Sequence, residues 1–199
     1  MTGSVTGQEA ALKPLVRPWY RSARASGEAA LVREAKRGSE GAVEALVRSH
    51  WDGAHRAAFL IVHDAAAAED IAQEAILAAV RAIGGFDRRR PFRPWLHRIV
   101  VNRSLDWLRA RGRRGEVSME VAAPSEGETR GSERLSDELL VALAALDGDE
   151  RALVVMRYLL GYRASELARM LDLPPATVRT RLARALERLR RDLEQEGGR

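Results

Sequence analysis

Three groups of residues have types and spacings that could do chemistry. The first is "PPATVRTRLARALERLRR", Pro174 to Arg191, a segment with six arginines behind two prolines. At 100° per residue, Val178, Leu182, Ala185, Leu186, Leu189 and Leu193 share one side, which must be buried. Thr180, Ala183, Arg184, Glu187 and Arg191 fall opposite, and Arg179 and Arg181 sit on the two borders. Small and basic residues near the start of a helix suit a DNA groove, where a guanidinium reaches base edges or phosphates. A solvated face in a chain that prefers arginine is the plainer account. Of the 33 Lys+Arg, only Lys13 and Lys36 are lysines. From this helix alone, both accounts stand.

The second group runs from Phe86 to Arg114, where ten arginines stand against only Asp87 and Asp106. Phe86, Phe92, Trp95 and Trp107 are interleaved with them. Cations that follow phosphates beside flat rings are the equipment for single-stranded DNA. Trp95, Phe92 and Trp107 can equally be core residues, and Trp95 reads as one, whereas Asn102, a poor helix former at mid-helix, reads as functional. Asp106, one turn on, either orients Asn102 or pairs with an arginine. The third group is Asp70, Gln73 and Glu74, spaced i, i+3 and i+4 on an exposed helix face. Such a cluster serves solubility or docks a basic partner. No enzyme is expected. His50, His55, His63 and His97 lack metal-ligand spacing, there is no glycine-rich phosphate loop, and no nucleophile is paired with a base. Neither metal nor cofactor is implied.

The elements that must position these groups are helical. From Glu28 to about Arg111, Leu31, Ala35, Val43, Leu46 and Val47 line short amphipathic segments interrupted at Gly38. Ala54, Ala58 and Ile61 carry a stripe on to His63. Asp64 is placed to cap a helix with Ala68, Ile71, Ala72, Ala75, Ile76, Ala79 and Ile83 on one face, which Gly84-Gly85 should end in left-handed geometry. The basic loop "FDRRRPFR" follows, and Pro94 then suits a first helical turn. Residues 112–135, rich in Gly, Ser, Pro and Glu, read as a flexible linker. Beyond it, Ser136 and Asp137 cap one helix, Asp149 caps another that stops at Gly161, and a short helix, a turn through Asp172–Pro174 and the arginine helix form a helix-turn-helix. Ala168 and Leu171 should pack against Val178 and Leu182 at its elbow. The expected architecture is all-α: two small helical domains, 28–111 and 136–192, between a disordered arm at 1–27 and a tail at 193–199.

Composition agrees and narrows the class. A net charge of +5 and a pI near 10.3 imply a polyanionic partner, nucleic acid or membrane surface. With no cysteine there is no disulfide and no thiolate metal site. No apolar run approaches the ~20 residues that span a bilayer, and the first residues lack the apolar core of a secretory signal. A cytoplasmic protein without membrane insertion is expected.

Two blocks together resemble the small extracytoplasmic-function class of bacterial sigma factors. One is "EDIAQEAILAAVRAI" followed by "GGFDRRRPFRPWLHRIVVNRSLDWLRARGRR"; the other is "LDGDERALVVMRYLLGYRASELARMLDLPPATVRTRLARALERLR". The likeness covers roughly residues 28–111 and 136–192. It implies that Asp70, Gln73 and Glu74 dock on the coiled coil of the largest subunit of core RNA polymerase, with the flap of the second-largest subunit as a further contact. Phe86, Arg88, Arg89, Arg90, Phe92, Asn102 and Arg103 would engage the minus-ten element of promoter DNA, a flipped base lying in the loop between the two phenylalanines. Thr177, Arg179, Thr180, Arg181, Ala183 and Arg184 would engage the minus-thirty-five element. An anti-sigma factor is an implied partner. The chain departs from the family at Arg88–Pro91, where many members carry small polar residues, and at Ala176, where Gly is usual. A decoy that titrates anti-sigma proteins would have lost the DNA-facing residues, and a generic helix-turn-helix repressor would not explain Asp70–Glu74 or Trp95–Asp106.

Overall fold

A computed structural model describes residues 25–114 and 135–196, and the chain divides into two compact units. The described residues of both are helical, without strands. The expected arm (1–24 of it) and most of the expected linker (115–134) lie outside the described residues. Helical structure begins at Ala25, three residues inside the expected arm, and extends through Arg113, past the expected linker start.

In the first unit, α1 (Ala25–Lys36) ends before Gly38, whose φ of 89° suits glycine. Ser39 then caps α2 (Glu40–Val62), accepting from the Ala42 N–H at 3.4 Å. His63 closes α2 in the left-handed region, and Asp64 opens α3 (Ala65–Ala82) by accepting from the Ala67 N–H at 2.9 Å. The expected cap is therefore in place. Asp64 also accepts from Arg111 at 3.2 Å, which ties the start of α3 to the end of α4 (Phe92–Arg113). Helix α2 packs on α1, α3 and α4, and α3 packs on α4. Ala54, Ala58, Ala68, Ala72 and Ala75 are all fully buried. Their small side chains let the helix axes approach while Ile61, Leu96 and Val100 fill the remaining volume. The Gly84-Gly85 expectation needs correction. These residues end a 3-10 turn (Ile83–Gly85), and neither has positive φ, because the chain tightens rather than reversing there.

In the second unit, Ser136 caps α5 (Asp137–Ala144) by accepting from the Leu139 N–H at 3.3 Å. The next cap is Asp147, not Asp149: its carboxylate accepts from the Glu150 N–H at 2.8 Å, so α6 (Gly148–Val154) starts two residues earlier than the sequence implied. A π-helical stretch, Val155–Leu159, carries α6 to a stop at Gly161, where φ is 77°. Then come α7 (Ala164–Leu171) and α8 (Pro175–Glu196), the latter packed on α5, α6 and α7. Leu167, Ala168, Val178 and Leu182 are buried at the elbow, while Leu171 is half-buried. Ala185, Leu186 and Leu189 complete the buried stripe; Leu193, expected to be buried, is half-exposed at the far end of α8.

Arg151 is the least expected core residue. It donates to the Ala144 and Leu146 carbonyls at 3.0 and 2.9 Å, satisfying acceptors where α5 ends. Burial lowers its pKa to about 10. Buried Glu150 accepts from Arg188 of α8 at 3.0 Å, and Arg188 also donates to the Ala145 carbonyl at 3.0 Å. Together they fix α8 against the α5–α6 corner.

Candidate nucleic-acid interfaces

The basic loop of the first unit, residues 87–91, leaves the 3-10 turn and enters α4. Its inner geometry comes from Asp87, which accepts from the Arg89 N–H at 3.0 Å through its side chain and from the Arg90 N–H at 3.0 Å through its carbonyl. This compact turn throws Arg88, Arg89 and Arg90 outward, and all three are exposed. Arg90 stays within 3.8 Å of the Asp87 carboxylate, a weak surface pairing.

Phe86 and Phe92 do not present their faces to a ligand. They are 6% and 4% exposed, with ring centroids 5.7 Å apart in an edge-on arrangement. Trp95 packs on both, at 4.7 Å from Phe86 and 5.5 Å from Phe92. Both rings were expected at the DNA contact; in this structure burial and edge-to-face packing put them at the base of the loop. Trp95, expected in the core, is half-buried as the third member of the knot. Beside it, an open cleft of about 610 Å³ lies between the loop and α1, walled by Glu28, Val32, Arg33 and Lys36 on the helix side.

Along α4, Asn102 is exposed and Arg103 half-exposed. Arg103 forms an ion pair with Glu74 of α3, so the structure joins two residues that the sequence assigned to different partners. Asp106 pairs with Arg109 at 3.0 Å, the second of its two expected roles. Arg111 lies over the Trp107 ring at 5.0 Å. On α3, Asp70, Gln73 and Glu74 are all exposed, and Leu77, one turn further, is 45% exposed. Leu77 had escaped notice, yet the helical wheel that set Ile76 and Ala79 on the core face already placed it with the polar cluster.

In the second unit, the α7–α8 turn is made by Asp172 at φ 54°, ψ 45°, with the Leu173 N–H bonded to the Ala168 carbonyl at 2.9 Å. Helix α8 begins at Pro175, whose missing N–H costs nothing at a first helical position. The Pro174 carbonyl accepts from the Val178 N–H at 3.2 Å. Arg179, Thr180 and Arg184 are exposed, and Thr177, Arg181 and Ala183 are half-exposed. The Thr180 hydroxyl donates back to the Ala176 carbonyl at 3.0 Å, which fixes its rotamer. Arg181 leans to within 4.0 Å of Asp149 on α6, and so is partly held within its own domain.

Sequence reasoning missed Glu28, Lys36 and His50. Lys36 donates to the Phe86 carbonyl at 2.9 Å and Glu28 accepts from the Phe92 N–H at 3.1 Å, so α1 holds both ends of the basic loop. The other Glu28 oxygen lies 3.2 Å from Nε2 of buried His50. The hydrogen bond from His50, and then the backbone N–H groups of Phe92 and Arg93, keep the Glu28 carboxyl below its usual range despite its burial. No local signal marks these residues, since their partners are distant in the chain.

Residues 46–114 match the Sigma-70 region 2 family and residues 136–189 match Sigma-70, region 4. The RNA polymerase sigma-H factor of Pseudomonas aeruginosa is 34% identical over 82% of this chain and 92% of its own length. The ECF RNA polymerase sigma factor SigM of Mycobacterium tuberculosis is 36% identical over 77% of this chain and 78% of its own. The probable RNA polymerase sigma factor RfaY of Xanthomonas campestris is 35% identical over 69% of this chain, which spans only 37% of that longer protein. Among solved structures, CnrH in complex with the cytosolic domain of CnrY matches with a TM-score of 0.64 and 28% identity, over 84% of this chain and 97% of that one. With both sigma regions in order and relatives matched over most of their length, this chain belongs to the extracytoplasmic-function RNA polymerase sigma factors, DNA-binding proteins of transcription initiation.

Proposed function

We propose that the chain is a dissociable subunit of RNA polymerase that reads promoters at two separated elements with two different chemistries. In the second unit, α8 enters the major groove at the minus-thirty-five element, with Arg184 and Thr180 facing base edges and Arg179 a phosphate. In the first unit, Arg88–Arg90 and the cleft beside them receive the minus-ten strand and one flipped base, while Asn102 and Arg103 contact the upstream edge of the bubble. Asp70, Gln73 and Glu74, with Leu77 beside them, form the docking face for the basic coiled coil of the largest polymerase subunit, and the second unit meets the flap of the second-largest subunit.

The observation that carries this reading is the contrast between the two surfaces. The α8 face is a rigid, narrow helix front with side chains of graded length, fit for duplex edges. The loop borders an open, cation-rimmed cleft with room for an unstacked base. An anti-sigma partner is part of the proposal, supported by the matched CnrH structure, which is a complex with the cytosolic domain of CnrY. The test is run-off transcription with purified core enzyme on genomic fragments, followed by single-base variants of the promoters found. Start sites that depend on two separated sequence elements support the reading; no promoter-directed product would remove it.

A further inference from the structure

The geometry points to Glu28 and Lys36 as positioning residues for promoter reading: a two-point clamp on α1 that sets the shape of the 87–91 loop and thereby its base selectivity. This rests on the assignment of that loop to the minus-ten strand. Glu28, Val32 and Lys36 recur every four residues on one face of α1, Val32 buried between the two polar ends. Eight residues of helix rise about 12 Å, and the clamp grips the loop on the residues immediately before and after it. Lys36 donates to the carbonyl of Phe86, and Glu28 accepts from the N–H of Phe92.

The Glu28 contact also supplies something α4 cannot provide for itself. Helix α4 is preceded by Pro91, which makes no side-chain cap, so its first N–H groups need an acceptor from elsewhere. The Glu28 carboxylate takes that place from another helix, next to the positive end of the α4 dipole. His50 on α2 holds the second carboxylate oxygen. The two ends of the loop are therefore fixed through α1 and α2, while the exposed side chains of Arg88 to Arg90 add only the weak Arg90–Asp87 pairing within it. Preorganisation of this kind lets a cleft discriminate between bases by shape, since a loose loop would adapt to any of them.

The experiment uses reconstituted holoenzyme with the full chain carrying Lys36→Met, Lys36→Arg or Glu28→Gln, and reads abortive initiation on promoters varied one base at a time. Lys36→Met should lower the preference for the favoured base at one minus-ten position about five-fold, the size of one hydrogen bond's net contribution. Minus-thirty-five preference should stay unchanged, and Lys36→Arg, which keeps a donor, should restore much of the selectivity. Glu28→Gln, which retains an acceptor oxygen, should have a smaller effect of the same kind. If Lys36→Met lowers the melting temperature yet leaves the base preferences intact, the residue is structural only and the clamp is refuted. An Arg88→Ala, Arg89→Ala control separates this from a failure of the loop assignment. If that variant also leaves minus-ten behaviour untouched, the loop assignment itself falls.

Discussion

On α8, the proposed function divides the arginines by their position around the helix. Arg184 is exposed opposite the buried stripe, with Ala183 beside it and Thr180 one turn earlier, so nothing blocks its approach to a base edge. A bidentate guanine contact is worth ~1–3 kcal/mol against a wrong base. Arg184→Ala should therefore flatten the preference among minus-thirty-five variants. Arg179→Ala should weaken every promoter alike and reduce the salt slope by about one unit. Arg181, already near Asp149, should have a smaller effect than Arg179. Abortive initiation at two salt concentrations separates the cases; identical variant profiles for Arg184→Ala and Arg179→Ala would mean the helix faces DNA differently. The orientation of these side chains was legible in the sequence because an amphipathic helix fixes which residues must be buried. Phe86 and Phe92 were not, since a phenylalanine among arginines looks the same whether its ring faces a base or a neighbouring tryptophan.

At the scale of elements, short polar side chains at helix starts carry much of the register. Ser39, Asp64 and Ser136 cap helices in the structure, and the last two were visible in sequence as a polar residue before an apolar run. "LDGDE" offered two aspartates, and local propensity could not choose between them; the fold selects Asp147, and Asp149 lies within 4.0 Å of Arg181 instead. Asp64 serves both α3 and Arg111, so Asp64→Ala should cost more than an ordinary cap, about 2 kcal/mol at the upper end of the usual range, measured by denaturant unfolding. The proposed docking face of α3 should behave oppositely. Asp70→Arg with Glu74→Arg should abolish co-purification with core polymerase while shifting stability by under about 1 kcal/mol, because both residues are exposed and the Glu74–Arg103 pair is a surface one. A large loss of helicity in that double variant would make the cluster structural. The clamp by Glu28 and Lys36 lay beyond sequence reasoning for a simple reason: its partners stand 64 and 50 residues away, and only tertiary packing brings them together.

For the whole molecule, each unit has its own core, and the two cores differ in what they bury. All four histidines lie in the first unit. His97 is 1% exposed there, and burial, followed by the nearby charges of Arg93 and His50, pushes its pKa well below 6.5. The unfolded chain binds a proton at His97 once the pH drops below 6.5, while the folded unit does not, so stability falls as pH falls, by up to ~1.4 kcal/mol per unit. Glu28 acts in a lower window. Its lowered pKa contributes stability that is present above 4.5 and is lost as the pH falls through its folded value. The second unit carries no histidine, and its buried Arg151, with a pKa of about 10, stays charged throughout this range. Fragments 25–114 and 135–196, expressed separately, should each fold and unfold cooperatively. Between pH 7 and pH 5 the first should lose stability and the second should hardly change. His97→Gln should flatten the pH dependence of the first fragment, whatever it does to stability at pH 7. Urea unfolding of both fragments at several pH values is the measurement. Parallel acid sensitivity in the two, or an unchanged slope in His97→Gln, would show that His97 is not the group whose protonation opens the first unit.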